Sequence, residues 1–198
     1  MSVNGCIREL TNKRTVISLR KGWINMGKLG ELTAEIGKGL HFESYDVYFD
    51  HGAAGENVGR IVSALEEKFL RRDELSQLDI AIVEKSSGKV AVLIKIEERN
   101  DSPKAILGDV FGVLMGEFIF FRRKQKFTVN KHTTLIVFGK SKALDTSRNK
   151  ALRKKIMKIK SELSTGNSKI GKVVIKTFMD EKELPTLLLT EISKAFKN

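Results

Sequence analysis

The stretch LDIAIVEKSSGKVAVLIKIEE, residues 78–98, decides the fold reading. Two apolar arms flank Ser86-Ser87-Gly88-Lys89, the pattern of a β-hairpin and its turn. Val90 to Ile94 is an unbroken apolar run, as expected of a strand buried on both faces. Charge collects at the open end: Asp79 on the first arm, and Lys95, Glu97 and Glu98 on the second. Centring the turn on Ser87-Gly88 sets Asp79 opposite Lys95 to Ile96. Strand alternation then puts Lys95 and Glu97 on one face. These charges either mark where the strands reach water or form a site for metal and phosphate.

Downstream of the hairpin, Ser102 is placed as an N-cap and Pro103 at the first helical position of a helix expected to run to about Phe121. Thr133 to Phe138 reads as a short strand and Ile170 to Phe178 as another. Between them, Arg148 to Leu163 is a basic amphipathic helix with the stripe Leu152, Ile156, Ile159 and Leu163. Asp180 to Lys197 closes the chain as a helix. Upstream, Val58, Ile61, Val62, Leu65, Phe69 and Leu70 make a helical stripe over Gly55 to Arg72. Signals before that are weaker: short strands at Arg14 to Arg20 and Leu40 to Asp50, and a short amphipathic helix at Lys28 to Gly37. A crossover helix after an antiparallel hairpin gives a mixed sheet flanked by helices, hence a single α/β domain. Within it, residues 1–50 read as an extension, 52–139 as the core, and 140–198 as basic helix, strand and closing helix.

At 198 residues and 41% hydrophobic content the chain can bury a sizeable core. The single cysteine, Cys6, fits a reducing compartment, and no apolar leader-like run opens the chain, so a cytoplasmic setting is expected. The longest apolar stretch, Ala105 to Phe121, is interrupted by Asp109 and Glu117 and reads as a buried helix, so no membrane partner is expected. Asp109 would need a partner if buried, and reads first as structural. Three scattered histidines and one cysteine make no zinc site, and no phosphate-binding glycine loop or nucleophile elbow is present.

Net charge is +12, and it is concentrated. Phe121 to Lys160 carries fourteen Lys/Arg against one acid, whereas the first 120 residues carry sixteen against eighteen. Such a block suits a surface that meets a polyanion, or is a solvated basic face. Arg122, Arg123, Lys124 and Lys126 follow the crossover helix; Lys150, Arg153, Lys154, Lys155 and Lys158 lie on the basic helix. Aromatics are sparse in this block, which favours backbone recognition of duplex or branched DNA over a base-stacking platform.

The order of elements and the hairpin charges resemble the PD-(D/E)XK nuclease superfamily, the restriction-endonuclease-like enzymes that include Holliday-junction resolvases and Mrr-like nucleases. The resemblance covers roughly Gly52 to Gly139. It implies a mixed β-sheet core of α-β-β-β-α-β type, in which a first helix carries a glutamate, a strand opens with Asp, and the next ends in acid–x–Lys. On this chain those positions fall on Glu56, Asp79 and Lys95. The resemblance implies a metal-dependent endonuclease that hydrolyses phosphodiester bonds with Mg2+ or Mn2+, has DNA as partner and admits a homodimer. Asp79 and Glu97 would hold the metal, Lys95 would assist the water, and Glu56 would complete the site. Such chemistry needs a divalent ion to neutralise phosphate and acidify water, and one or two carboxylates suffice for Mg2+.

One position departs from the pattern: Leu93 stands where the acid of acid–x–Lys belongs. Either the acid has moved to Glu97, or the motif has shifted to Glu97-Glu98-Arg99, or the fold binds nucleic acid without cutting it. A basic α/β protein with an acidic protein or lipid partner is the reading from outside this class.

Overall fold

A computed structural model describes residues 29–51, 55–97, 103–140, 150–151, 154–155, 157–158 and 169–197. Two sheets carry the chain. The larger has the order β1 (Tyr45–Phe49), β4 (Ile80–Glu84), β5 (Val90–Glu97), β8 (Thr134–Lys140), β9 (Lys172–Phe178). β4 pairs antiparallel with β1 and β5, while β5, β8 and β9 pair in parallel, so β4 alone runs against the other four. The smaller sheet is wholly antiparallel, in the order β3 (Glu74–Leu78), β2 (Ile61–Ala64), β6 (Phe118–Phe121), β7 (Gln125–Thr128).

Residue parity along β5 explains the layers. Leu93 points into a core shared with Val110, Val113 and Leu114 of helix α2 (Pro103–Met115) and with Ile61, Leu78 and Phe121 of the small sheet. Val92, Ile94 and Ile96 point the other way, against Leu32 and Ile36 of α1 (Leu29–Gly39) and Leu188 and Ile192 of α3 (Leu184–Ala195). With both faces covered, a continuous apolar strand is the expected pattern. The chain is thus mixed α/β, and its large sheet draws on residues 45 to 178. Among the described residues no helix is long and apolar enough to cross a membrane.

The hairpin, the strands near residues 134 and 172, and the closing helix lie where the sequence places them. Residues 55–72 correct the reading: they hold β2 and a short 3-10 turn, Arg71–Asp73, and no α-helix. Ile61 and Val62 face opposite sides, the first into the main core and the second against Phe120 and Phe69. The apparent helical stripe was therefore two faces of a central strand. The crossover helix also stops short, at Met115. Phe118–Phe121 instead pairs with β2, its aromatic run suiting a sheet better than a helix. The strand expected at Arg14 to Arg20 lies outside the described residues.

Candidate active site

Asp79 is the single residue between β3 and β4, the corner where the chain leaves the small sheet for the large one. Its N–H donates to the Ile94 carbonyl (3.0 Å) and its carbonyl accepts from the Asp50 N–H (2.8 Å). The Ile80–Ile94 pairing therefore continues outward, setting Asp79 opposite Lys95. The side chain turns inward and is only 9% exposed. Its Oδ2 accepts the Ile96 N–H at 2.6 Å and lies 3.6 Å from Lys95 Nζ. Burial pushes the Asp79 carboxyl up to about 6, against the pull of Lys95, the Ile96 N–H and His51, while Asp50 adds to the rise.

Lys95 has a side chain only 15% exposed and reaches a second acid. Asp109, on α2, accepts a hydrogen bond from Ser76 Oγ of β3 at 3.1 Å and shares a hydrogen bond with Glu97 of β5. Burial is the main cause that raises the Asp109 carboxyl; Lys95 and Ser76 oppose it and Glu97 reinforces it. Asp79, Lys95, Glu97 and Asp109 thus meet on one side of a face that is otherwise apolar. Asp50 borders the group, accepting from Gln77 Nε2 and, at 2.9 Å, from the His51 N–H. His51 itself is held at φ 70°, outside the comfortable range for a non-glycine residue.

Of the residues singled out in the sequence, Asp79, Lys95 and Glu97 are brought together. Glu56 is not: it lies exposed in the turn between β1 and β2, with no helix to carry it. Leu93, two residues before Lys95, is fully buried between Ala81 and Leu135. Asp109 joins the group through contacts that cross 33 residues of chain to Ser76, so no local spacing announces it. Asp50, Ser76 and Gln77 were missed for the same reason.

Arg122, Arg123, Lys124 and Lys126 fall on the β6–β7 hairpin, not after a helix. Lys126 is paired with Glu67. Lys150, Lys154, Lys155 and Lys158 are helical and exposed, and Arg153 lies outside the described residues.

No family model, curated protein or solved structure matches the chain. The case for function therefore rests on the geometry alone. Among the described residues, no three acidic, histidine or cysteine side chains are already arranged as a metal cage. The donor chemistry nonetheless suits a hard cation. Glu97 and Asp109 press two carboxyls together, a contact that needs a shared proton or a positive ion, and all the donors are oxygen.

Proposed function

We propose that the chain is a Mg2+- or Mn2+-dependent phosphodiester hydrolase acting on DNA, built on a restriction-endonuclease-like core. The observation that carries this reading is the convergence of Asp79, Lys95, Glu97 and Asp109 from the sheet corner, β5 and α2. Bringing four ionisable groups into a largely buried cluster costs stability, and perturbed carboxyls gathered in this way favour a working site over a structural one. The sheet supports the same class. A helix precedes a five-stranded mixed sheet, one strand alone runs against the rest, and a helix crosses from the third strand to the fourth.

Glu97, with Asp79 and Asp109, would hold the ion, which when bound supplies charge neutralisation and a more acidic water. Lys95 neutralises Asp79 in the free protein and can offer its ammonium to a phosphate oxygen as negative charge develops there. Since α1 is the helix before the sheet, the acid expected on a first helix falls on Glu31 in its first turn, not on Glu56. Gly30 beside it lies against the His51 ring, which is close enough to bias Asp79.

A second reading, a nucleic-acid-binding module without catalysis, is favoured by one observation: Leu93 sits in the core where the family's acid would be. A nuclease assay on linear, branched and single-stranded DNA, with Mg2+ and with Mn2+, decides between them. Cleavage by the wild type that is lost in Asp79→Ala and Glu97→Ala is expected, by about a hundredfold or more. Cleavage unchanged in both variants refutes the site. DNA binding without cleavage in either metal leaves only the second reading.

A further inference from the structure

The tip of the β6–β7 hairpin is built against local preference. Arg122 and Arg123 sit at φ 50° and 59°, and the Lys124 N–H closes the turn on the Phe121 carbonyl at 3.1 Å. Two successive left-handed residues are the mark of the type I′ hairpin turn, where Asn-Gly is the usual choice. Each L-residue with a full side chain is strained there. Strain retained at an exposed tip points to a use for the side chains.

Arg122 shows how the turn is held. Its N–H donates to the Arg60 carbonyl at 2.8 Å. Its guanidinium donates to the Val58 carbonyl (Nε 3.0 Å, Nη2 2.7 Å) and to the Gly55 carbonyl, and lies 5.1 Å from the centre of the Phe121 ring. Gly59 makes room for it: a Cβ there would come within 2.7 Å of Arg122 Cγ. The partners are neutral carbonyls, so the cradle fixes the arginine without cancelling its charge. Arg123 and Lys124 project beside it, exposed. Arg123 rests over the Phe69 ring at 5.8 Å, and among the described residues neither side chain is in an ion pair.

The tip also stands in a defined relation to the acid cluster. Leu78, Ile61 and Phe121 form one row across β3, β2 and β6. Asp79 and Arg122 are the next residues after the outer two, and both leave the same end of the small sheet. Two strand spacings separate their backbones, about 10 Å. That distance equals roughly three nucleotides of rise along one strand of a duplex.

We infer that this tip is a rigid phosphate-binding arm beside the acid cluster, with Arg123 and Lys124 as contact residues and Arg122 as the residue that positions them. The inference rests on the proposed nucleic-acid substrate and adds where its backbone is gripped. Lys126 is left out of the arm, since Glu67 already neutralises it.

The test is binding of a fluorescent DNA duplex by the full chain, without divalent metal, across a range of salt concentrations. Arg123→Asn keeps a residue that tolerates the left-handed turn, and Lys124→Ala removes an exposed ammonium. Each should weaken binding several-fold and lower the slope of log K against log salt by about one. Arg122→Lys retains the charge but not the forked donors. It should weaken binding about as much as Arg122→Ala, a result that loss of charge alone would not give. Thermal melts confirm that each variant is folded. An unchanged salt slope in the folded Arg123→Asn/Lys124→Ala double variant overturns the arm while leaving the hydrolase reading intact. Tip-dependent binding with no cleavage overturns only the hydrolase. No binding by the wild type at low salt overturns both.

Discussion

Lys95→Met gives the clearest test of the cluster's electrostatics. Asp79 is pushed from an ordinary 3.8 to about 6 by burial, even with Lys95 beside it. The folded state therefore holds a proton on Asp79 between about pH 4 and pH 6 that the unfolded chain has released. Stability from this group is greatest below pH 4 and falls as pH rises through that window, by about 3 kcal/mol, then levels off above pH 6. Of the groups that hold the Asp79 carboxyl down, Lys95 is the strongest, ahead of the Ile96 N–H and His51. Without Lys95 the carboxyl rises further and keeps its proton to higher pH, so the variant goes on losing stability where the wild type has levelled off. The extra destabilisation relative to wild type should therefore grow as pH rises above 6, with Asp109, which also feels Lys95, adding in the same direction. Urea unfolding at pH 5, 6.5 and 8 measures it. Adding Asp79→Asn should restore most of the loss, since a buried pair removed whole costs far less than half of one. A wild-type-to-variant difference that does not change with pH would refute this account of the pair.

Asp109→Asn should stabilise the fold more at pH 7 than at pH 3. It removes a carboxyl that burial and Glu97 hold above its normal range, while the amide oxygen still accepts from Ser76. The same urea series reads it out. Glycine substitutions should separate by sign. In Gly171→Ala the new Cβ would meet the Lys131 carbonyl oxygen at 1.7 Å, a backbone clash expected to cost about 3 kcal/mol. In Gly108→Ala the Cβ meets nothing within 4 Å inside a helix, and a gain of up to ~1 kcal/mol is expected. Melting temperatures of the two variants on either side of wild type would bear this out, and a stabilised Gly171→Ala would contradict the close approach of residues 131 and 171.

The parts of the fold that were legible in the sequence are those whose signals are local. The hairpin announced itself through two apolar arms and Gly88, whose φ of 65° closes the turn. The small sheet was hidden for a physical reason. β2 is four residues long, has β3 on one side and β6 on the other, and buries both faces, so it shows neither alternation nor length. Its Ile61-Val62 pair joined neighbouring apolar residues into a false helical stripe, and with it went the placement of Glu56.

The site divides along the same line. Asp79, Lys95 and Glu97 follow from hairpin register, because pairing across a short turn is a local matter. Asp109 and Ser76 depend on α2 lying against β3, which no spacing encodes. That contact bears on Leu93. β5 reaches the α2 face with Leu93, Lys95 and Glu97 in turn, and the apolar core extends as far as Leu93 before charge begins. An acid at 93 would be sealed among Ala81, Leu135 and α2, whereas Glu97 lies at the strand end and meets a second carboxyl from the helix. With the small sheet and α2 packed over the strand, the carboxylate that β5 contributes lies two repeats of the pleat beyond Leu93. The Glu97–Asp109 contact therefore sits toward the open end of the hairpin, where the apolar core has ended.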